Sequence, residues 1–356
     1  MAKLNVCILF GGISPEHEVS LRSAESVLMN LNHEKYTVLP VGITKEGEWI
    51  LFGGEDYSLL PDGNWSSHPD NCKAFLSPVR GQGLVCLKDG GYTCHPVDVV
   101  FPVLHGENGE DGAMQGLLQM AGIPFVGSHL AESAVSMDKT LTKLVADSAG
   151  IPQAAWQLVN SRDLCTRMDA IIAKIEERFA YPVFVKPAGT GSSVGVSKAA
   201  NREKLVDALH FAGKYDSKIL VEEFICGREV EVAVLGNENP VASVCGEIDS
   251  GAEFYDYDAK YVTDTSVAYI PARISEEATE KVRDLAVKLY TAIGAKGLSR
   301  VDFFVTYEGE RVVFNEINTL PGFTSISMYP KLFCASGIAY PDLIDQLLEL
   351  ALEANK

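Results

Sequence analysis

Residues 298 to 328 read LSRVDFFVTYEGERVVFNEINTLPGFTSISM. The segments flanking Glu308 and Gly309 are rich in Val and Phe, so they read as two antiparallel strands joined by a tight loop. Side chains alternate faces along a strand, which groups Arg300 with Asp302 and Glu316 with Asn318. The two pairs converge only if the register permits it. A two-residue loop at Glu308 and Gly309 would set Asp302 opposite Asn315 and turn Glu316 away. A three-residue loop with Gly309 left-handed, forming a bulge, shifts the register by one and brings the four polar groups together. That bulge is the expectation. Two carboxylates and an amide oxygen, with no Cys or His nearby, form a hard-oxygen site suited to Mg2+ shared with phosphates rather than to zinc. A solvated hairpin face is the plainer alternative. The apolar neighbours Val301, Phe303, Phe314 and Ile317, and the turn sequence TLPGFTS that follows, favour the metal.

The rest of the chain sets the context of this hairpin. Its 356 residues exceed one typical core, so two or three domains are expected. The first apolar run, VCILF, meets the acidic SPEHE at once and lacks a basic start, which argues against a secretory signal. No apolar run reaches the ~18 residues needed to cross a bilayer, so a cytoplasmic protein without a membrane partner is expected. Eight scattered Cys without a CxxC pair read as free thiols in a reducing compartment. The net charge of −18 disfavours nonspecific binding to nucleic acid. A polyanion must therefore find a local basic pocket.

Residues 4 to 10 form a buried-strand candidate ending in Gly11-Gly12. A helix should follow, with Ser14 as its cap, Pro15 in the first turn, and Glu16 and Glu18 at the positive end of the dipole. Strands at 35 to 43 and 97 to 104 and a helix at 113 to 121 complete an α/β unit with a parallel sheet. Ligands sit beyond the carboxyl ends of such strands, where the loops Gly11 to Glu16 and His105 to Gly112 lie. Glu16 suits an ammonium group, or serves only the helix dipole. In HGENGEDG, His105 precedes a loop too glycine-rich for mere packing, which favours a substrate-shaping role. Residues 44 to 95 read as an elaboration without identifiable chemistry.

After Gly127 helices are expected at 130 to 149 and 163 to 179. The strand YPVFVKP then carries Lys186 into the loop AGTGSSVGV, whose backbone N–H groups and small side chains suit phosphate oxygens. It is neither a P-loop nor GxGxxG. Lys139, in SMDKTLTK, by itself reads as a solvated helical lysine. Glu222 to Ile225 form a connector whose backbone can read an adenine edge, and Glu229 is placed to accept from ribose hydroxyls. EFYDYDAKYVTD lacks periodicity and reads as an active-site lid, with Lys260 and Tyr261 its candidates. The helix from Ser275 to Gly294 and a terminal helix at 341 to 354 are scaffold.

Taken in order, GGISPEHEVSL, HGENGEDG, MDK, VKPAGTGSSVG, VEEFICGRE, YDYDAKY, SRVDFF and FNEINTLPGFTSISM resemble the ATP-grasp superfamily, and within it the D-alanine:D-alanine ligase family. The resemblance spans essentially the whole chain. It implies a three-domain, mixed α/β and α+β fold, divided at 1–127, 128–221 and 222–356. It implies ATP-dependent formation of D-alanyl-D-alanine for peptidoglycan synthesis through a D-alanyl phosphate, and a homodimer.

Site roles follow from the same resemblance. Lys139, Lys186 and the 189–195 loop with Gly191 and Ser193 would hold phosphates. Glu222, Glu223, Ile225 and Glu229 would hold adenosine, with Lys260 beside the nucleotide. Asp302, Glu316 and Asn318 would hold two Mg2+, or Mn2+ in their place. Glu16 would bind the first D-alanine ammonium and connect through Ser192 to Tyr261. Arg300 and the Gly322 N–H would form an oxyanion hole, and Ser327 with Met328 would hold the second carboxylate, His105 being near. The chain departs from several relatives in having Glu223 where they have Lys. Tyr261 after Lys260, and Met328, look like the dipeptide-forming version rather than one using D-serine or D-lactate. A regulator that binds nucleotide without catalysis is the rival of a different class.

Overall fold

The computed structural model describes residues 3–249 and 267–354. The first unit comprises β1 (Leu4–Gly11), α1 (His17–Asn30), β2 (Tyr36–Ile43), β3 (Trp49–Leu51), β4 (Cys72–Leu76), β5 (Leu84–Lys88), β6 (Gly91–His95), β7 (Val99–Pro102) and α2 (Ala113–Ala121). Its sheet has the order β6-β5-β4-β3-β2-β1-β7. Only β1, β2 and β7 run parallel. Residues 44 to 95 extend them with antiparallel strands, because short turns rather than helices join these segments. The sheet is thus mixed rather than wholly parallel. β1 is a continuous apolar run because both its faces are covered: Val6, Ile8 and Phe10 enter one core and Cys7 and Leu9 another. Ser14 does not cap α1. Its hydroxyl donates to the His105 carbonyl at 2.7 Å and accepts from the Glu16 N–H, so the helix starts later, at His17.

The second unit holds α3 (Leu130–Met137), α4 (Lys139–Ser148), β8 (Trp156–Asn160), α5 (Leu164–Arg178), β9 (Val183–Pro187), β10 (Ser197–Ala199), α6 (Arg202–Ala212) and β11 (Lys218–Glu223). Its antiparallel sheet has the order β10-β9-β11-β8, with α5 and α6 packed against one face. The single helix expected over 130 to 149 is two. Asp138 leaves the helical conformation and its carboxylate accepts the N–H groups of Thr140 and Leu141, capping α4. Lys139 is therefore the first residue of a helix rather than a lysine on a continuous helical surface.

The third unit holds β12 (Gly227–Leu235), β13 (Val241–Asp249), β14 (Val267–Tyr269), α7 (Glu276–Ile293), β15 (Leu298–Thr306), β16 (Val312–Asn318), α8 (Met328–Ala335) and α9 (Tyr340–Ala354). The sheet order is β14-β13-β12-β15-β16. Ser275 caps α7 through the Ala278 N–H and left-handed Gly294 ends it; Val282, Ala286 and Leu289 on its inner face are fully buried against the sheet. On the opposite face, α8 and α9 join Ala233, Leu235 and Leu298 to the core that also contains β1 and β7. The C-terminal helices thereby cover one face of the N-terminal sheet.

The hairpin of β15 and β16 has the anticipated facing residues, produced by a different device. Asp302 pairs with Glu316 and Arg300 with Asn318. The loop runs through residues 307 to 310, closed by the Thr306 N–H on the Arg311 carbonyl. Gly309 is left-handed at φ +71°, but this four-residue loop pairs Val305 with Val312 and Phe303 with Phe314. Continued unchanged, that register would set Asp302 opposite Asn315. The shift occurs instead between Asp302 and Phe303, leaving Asn315 as the extra residue in β16. Val312, Phe314 and Ile317 all enter one core with Val301, Phe303 and Val305. The step of three between Phe314 and Ile317 demands the bulge, because unbroken alternation would expose one of them.

Candidate active site

A cleft of about 460 Å3 opens between the four-stranded and five-stranded sheets. Its wall brings together Lys139, Lys186, Gly191, Ser192, Ser193, Glu222, Glu223, Ile225, Glu229 and Glu316, all singled out from sequence. Phe184, Phe224 and Phe304 add aromatic surface to the same wall. A smaller hollow shares Lys139, Thr190, Gly191, Ser192, Asn315 and Glu316 with it and extends to Glu110 and Asn318. The cleft volume lies within the ~300 to 1,000 Å3 usual for small-molecule sites.

One wall is built on a buried ion triad. Glu222 receives the Lys143 ammonium on one oxygen at 2.5 Å and the Lys186 ammonium on the other at 2.7 Å. Burial would raise the Glu222 carboxyl, but Lys143 and Lys186 overcome it and bring it down to about 2. Burial likewise works against the charge on Lys186, and Glu222, Glu316 and Glu229 outweigh it and raise the ammonium above its ordinary value. Lys186 also donates to Asn315 Oδ1 at 3.3 Å, so the bulged residue contributes to the site. The Glu222 carboxylate is thus held by lysines on either side. The Glu223 carboxylate accepts the Ala155 N–H at 2.9 Å, tying the connector to β8. Lys139 donates to the Thr190 carbonyl at 2.7 Å and lies 3.8 Å from Glu316, fastening the start of α4 to the 188–196 loop. In that loop Ser192 and Ser193 are both left-handed, at φ +50° and +59°, a strained conformation typical of ligand-binding segments.

On the hairpin, Arg300 grips Asp302 through two hydrogen bonds of 2.8 and 2.7 Å, and its Nε lies 3.3 Å from Glu231. Burial opposes the guanidinium charge, yet Asp302 and Glu231 hold its pKa far above the usual value. Asn318 Nδ2 donates to Asp302 at 3.1 Å. Asp302, Glu316 and Asn318 supply hard oxygen donors only, which fits Mg2+. Among the described residues no group of three or more His, Cys, Asp or Glu is placed to hold a metal ion. A Mg2+ ion beside a nucleotide usually takes only one or two protein carboxylates, with phosphate oxygens and water as its other ligands.

The loops of the N-terminal sheet close the hollow. Ser192 Oγ donates to Glu16 Oε1 at 2.5 Å, linking the loop after β1 to the loop after β9. Gly106, at φ +67°, lies so close that a Cβ would sit 2.7 Å from Glu16 Oε2. His105 is buried, with Nδ1 3.1 Å from the Leu320 carbonyl and Nε2 3.4 Å from Ser23 Oγ. A carbonyl only accepts, so Nδ1 carries a proton; burial depresses the pKa of the ring. His105 thus steadies the 320–323 segment, helped by the Phe323 N–H on Ser23 Oγ. Ser327 Oγ accepts from the Thr324 N–H at 3.0 Å and packs against Gly322, at the start of α8. The Met328 side chain is buried, close against Gly246, which leaves its backbone N–H as the group at the helix start. Lys260 and Tyr261 lie outside the described residues.

Three site residues escaped the sequence reading. Lys143 sits four residues after Lys139, on the same helical face, and that spacing was its available signal. Asn315 was visible only through the Phe314 to Ile317 step. Glu110 accepts the N–H groups of Gly106 at 2.8 Å and Leu320 at 3.3 Å, and nothing in HGENGEDG distinguishes it from its acidic neighbours.

A nucleotide-sized cleft between an antiparallel four-stranded sheet and a five-stranded sheet, closed by the loops of an N-terminal α/β unit, is the architecture of the ATP-grasp ligases. Residues 5–128 match the family model described as D-ala D-ala ligase N-terminus, and residues 145–349 match D-ala D-ala ligase C-terminus. The D-alanine--D-alanine ligase of Caldicellulosiruptor bescii is 51% identical over 100% of this chain and 97% of the relative. That of Acetivibrio thermocellus is 49% identical over 99% and 96%. Among solved structures, the VanG D-Ala:D-Ser ligase from Enterococcus faecalis superposes with a TM-score of 0.90 at 38% identity, covering 98% of this chain and 100% of the other. The D-alanine-D-alanine ligase from Coxiella burnetii gives 0.85 at 33%, covering 100% and 95%. The chain belongs to the D-alanine–D-alanine ligase family.

Proposed function

We propose that this protein joins two molecules of D-alanine into D-alanyl-D-alanine, converting ATP to ADP and phosphate. The observation that carries the reading is the placement of Asp302 and Glu316 face to face, in register, beside a cleft that also presents Lys139 and Lys186. A carboxylate is a poor electrophile, and the cleft has the parts to convert it into an acyl phosphate. One oxygen of the first D-alanine carboxylate attacks the γ-phosphorus, and ADP leaves with the electrons of the broken P–O bond. Lys139, Lys186 and the backbone of the 189–195 loop hold the phosphates, and the ribose lies at Glu229. Asp302, Glu316 and Asn318 would hold Mg2+, which would supply neutralisation of the phosphate charge.

Glu16 takes the ammonium of the first D-alanine, and its bond to Ser192 keeps that substrate in line with the phosphate loop. The free amine of the second D-alanine then attacks the acyl carbonyl, and the tetrahedral oxyanion rests on Arg300 and the Gly322 N–H until phosphate departs. Loss of one such donor typically costs ~10²-fold in rate. The start of α8, with Ser327 and the Met328 N–H, suits the second carboxylate through the positive end of the helix. The acyl phosphate is hydrolysed by water, so exclusion of water by the surrounding loops belongs to the mechanism. D-Alanine is favoured over D-serine as the second substrate because relatives named D-alanine--D-alanine ligase share about half the sequence, against 38% for the D-Ala:D-Ser ligase.

The test is product analysis after incubation with ATP, Mg2+ and equal D-alanine, D-serine and D-lactate, alongside phosphate release. D-alanyl-D-alanine as the major product and phosphate release dependent on D-alanine support the reading. A mixed product dominated by D-serine or D-lactate overturns the substrate assignment. Phosphate release indifferent to any D-amino acid overturns the ligase.

A further inference from the structure

Lys143 ends the stretch SMDKTLTK, in which only Lys139 was given a role, and its side chain is only 2% exposed. Burying an ammonium is costly unless it is paired, and this one is paired at each side: Glu222 at 2.5 Å and Gln153 Oε1 at 3.4 Å. It stands one turn into α4 from Lys139, which lines the cleft. The other oxygen of Glu222 holds Lys186, 2.7 Å away and also on the cleft wall.

The formal charges of this triad decide its purpose. A Lys186–Glu222 pair alone would be neutral, and a phosphate approaching Lys186 would compete with a carboxylate already bound to it. With Lys143 on the second oxygen, two ammonium groups share one carboxylate and the cluster carries a net charge of about +1. We propose that Lys143 is a positioning residue for the nucleotide polyphosphate. It takes up the charge of Glu222 from behind, so that Glu222 holds Lys186 in a fixed place at the cleft without cancelling its charge. Lys143 itself touches no phosphate. Low dielectric strengthens the effect, since the compensating charge is buried rather than screened by solvent.

This inference rests on reading the cleft as a nucleotide site, and the experiment separates the two. The dissociation constants of ADP and of adenosine are measured by calorimetry for the wild type, K143R, K143M and K143Q. Removing one buried unit charge near the phosphates should weaken ADP about tenfold in K143M while adenosine changes less than about twofold, so the ratio of the two affinities falls. K143R should retain the ratio. K143Q keeps a polar group against Glu222 and Gln153 but no charge, and should lower the ratio as K143M does.

Equal losses for ADP and adenosine in K143M would show a packing role and overturn the proposal, as would no loss at all. So would a K143Q protein that keeps the wild-type ratio. Should K143M fail to fold, K143Q, which keeps a polar group beside Glu222 and Gln153, carries the test by the same ratio. A wild-type protein that binds neither ligand would instead overturn the nucleotide site itself.

Discussion

Replacing Glu110 by Gln should invert the ranking of the two proteins between pH 5 and pH 8. Burial above all, and then the negative charge of Glu16, push the Glu110 carboxyl up to about 8, against the pull of the Gly106 and Leu320 N–H groups and of Arg300. In the unfolded chain the same group titrates near 4.5. Between those values the unfolded chain has released a proton that the folded chain retains, so this group's contribution falls as pH rises from about 4.5 to about 8 and is level beyond. At ~1.4 kcal/mol per unit the ceiling is near 5 kcal/mol, and water reaching the hollow from solvent lowers it to about 2 kcal/mol. Gln cannot ionise, and its amide oxygen keeps one of the two N–H groups, a loss of about 1 kcal/mol at every pH.

The variant should therefore be about 1 kcal/mol less stable than wild type at pH 5 and about 1 kcal/mol more stable at pH 8. With an unfolding entropy of ~2.1 cal/mol/K per residue over this length, each difference amounts to ~1 to 2 °C in melting temperature. The assay is thermal melting of the nucleotide-free and metal-free proteins in matched buffers at pH 5, 6.5 and 8. His105, also depressed by burial, is common to both proteins and cancels in the difference. A gap that does not move with pH, or one that moves in favour of the wild type as pH rises, would refute the reasoning.

Two further substitutions probe the site's supports. Gly106→Ala forces a side chain into left-handed backbone, at a cost of about 1 to 2 kcal/mol, and drives its Cβ against Glu16, so KM for D-alanine should rise about tenfold while KM for ATP barely changes; equal shifts in both constants would contradict the placement of Glu16. Inserting two glycines after Gly309 lengthens an exposed turn, which should cost under about 1 kcal/mol and leave kcat within about twofold, because the register of Asp302 and Glu316 is set by the Asn315 bulge and the core pairs. Loss of activity in that insertion variant would return control of the register to the turn.

The sequence was most legible where a local rule had no competitor. Val282, Ala286 and Leu289 repeat at helical spacing between a serine cap and a left-handed glycine, and α7 has those limits. β1 needed only its unbroken apolar run. The reading went astray where two local rules met. At 130 to 149 the apolar periodicity continues through Asp138, but an aspartate whose carboxylate reaches the next N–H groups offers the backbone an alternative to helix, and it prevailed. That break aims the start of α4 at the 188–196 loop, so the missed cap and the underestimated Lys139 are one error.

The hairpin shows why a correct outcome can follow from a wrong cause. Two devices, a turn bulge and a strand bulge, each move the register by one residue, and either brings Asp302 to Glu316. They differ in which residue is displaced. A turn bulge leaves Asn315 in ordinary alternation, pointing into the core with Phe314 turned out. The strand bulge keeps Phe314 and Ile317 in the core and gives Asn315 to Lys186. Burial of two large apolar side chains, worth about 1.5 to 3 kcal/mol each, outweighs any preference of an exposed turn. The same energy that holds the sheet together therefore delivers a polar group to the lysine at the cleft, a connection visible only once Phe314 and Ile317 are required to share a core.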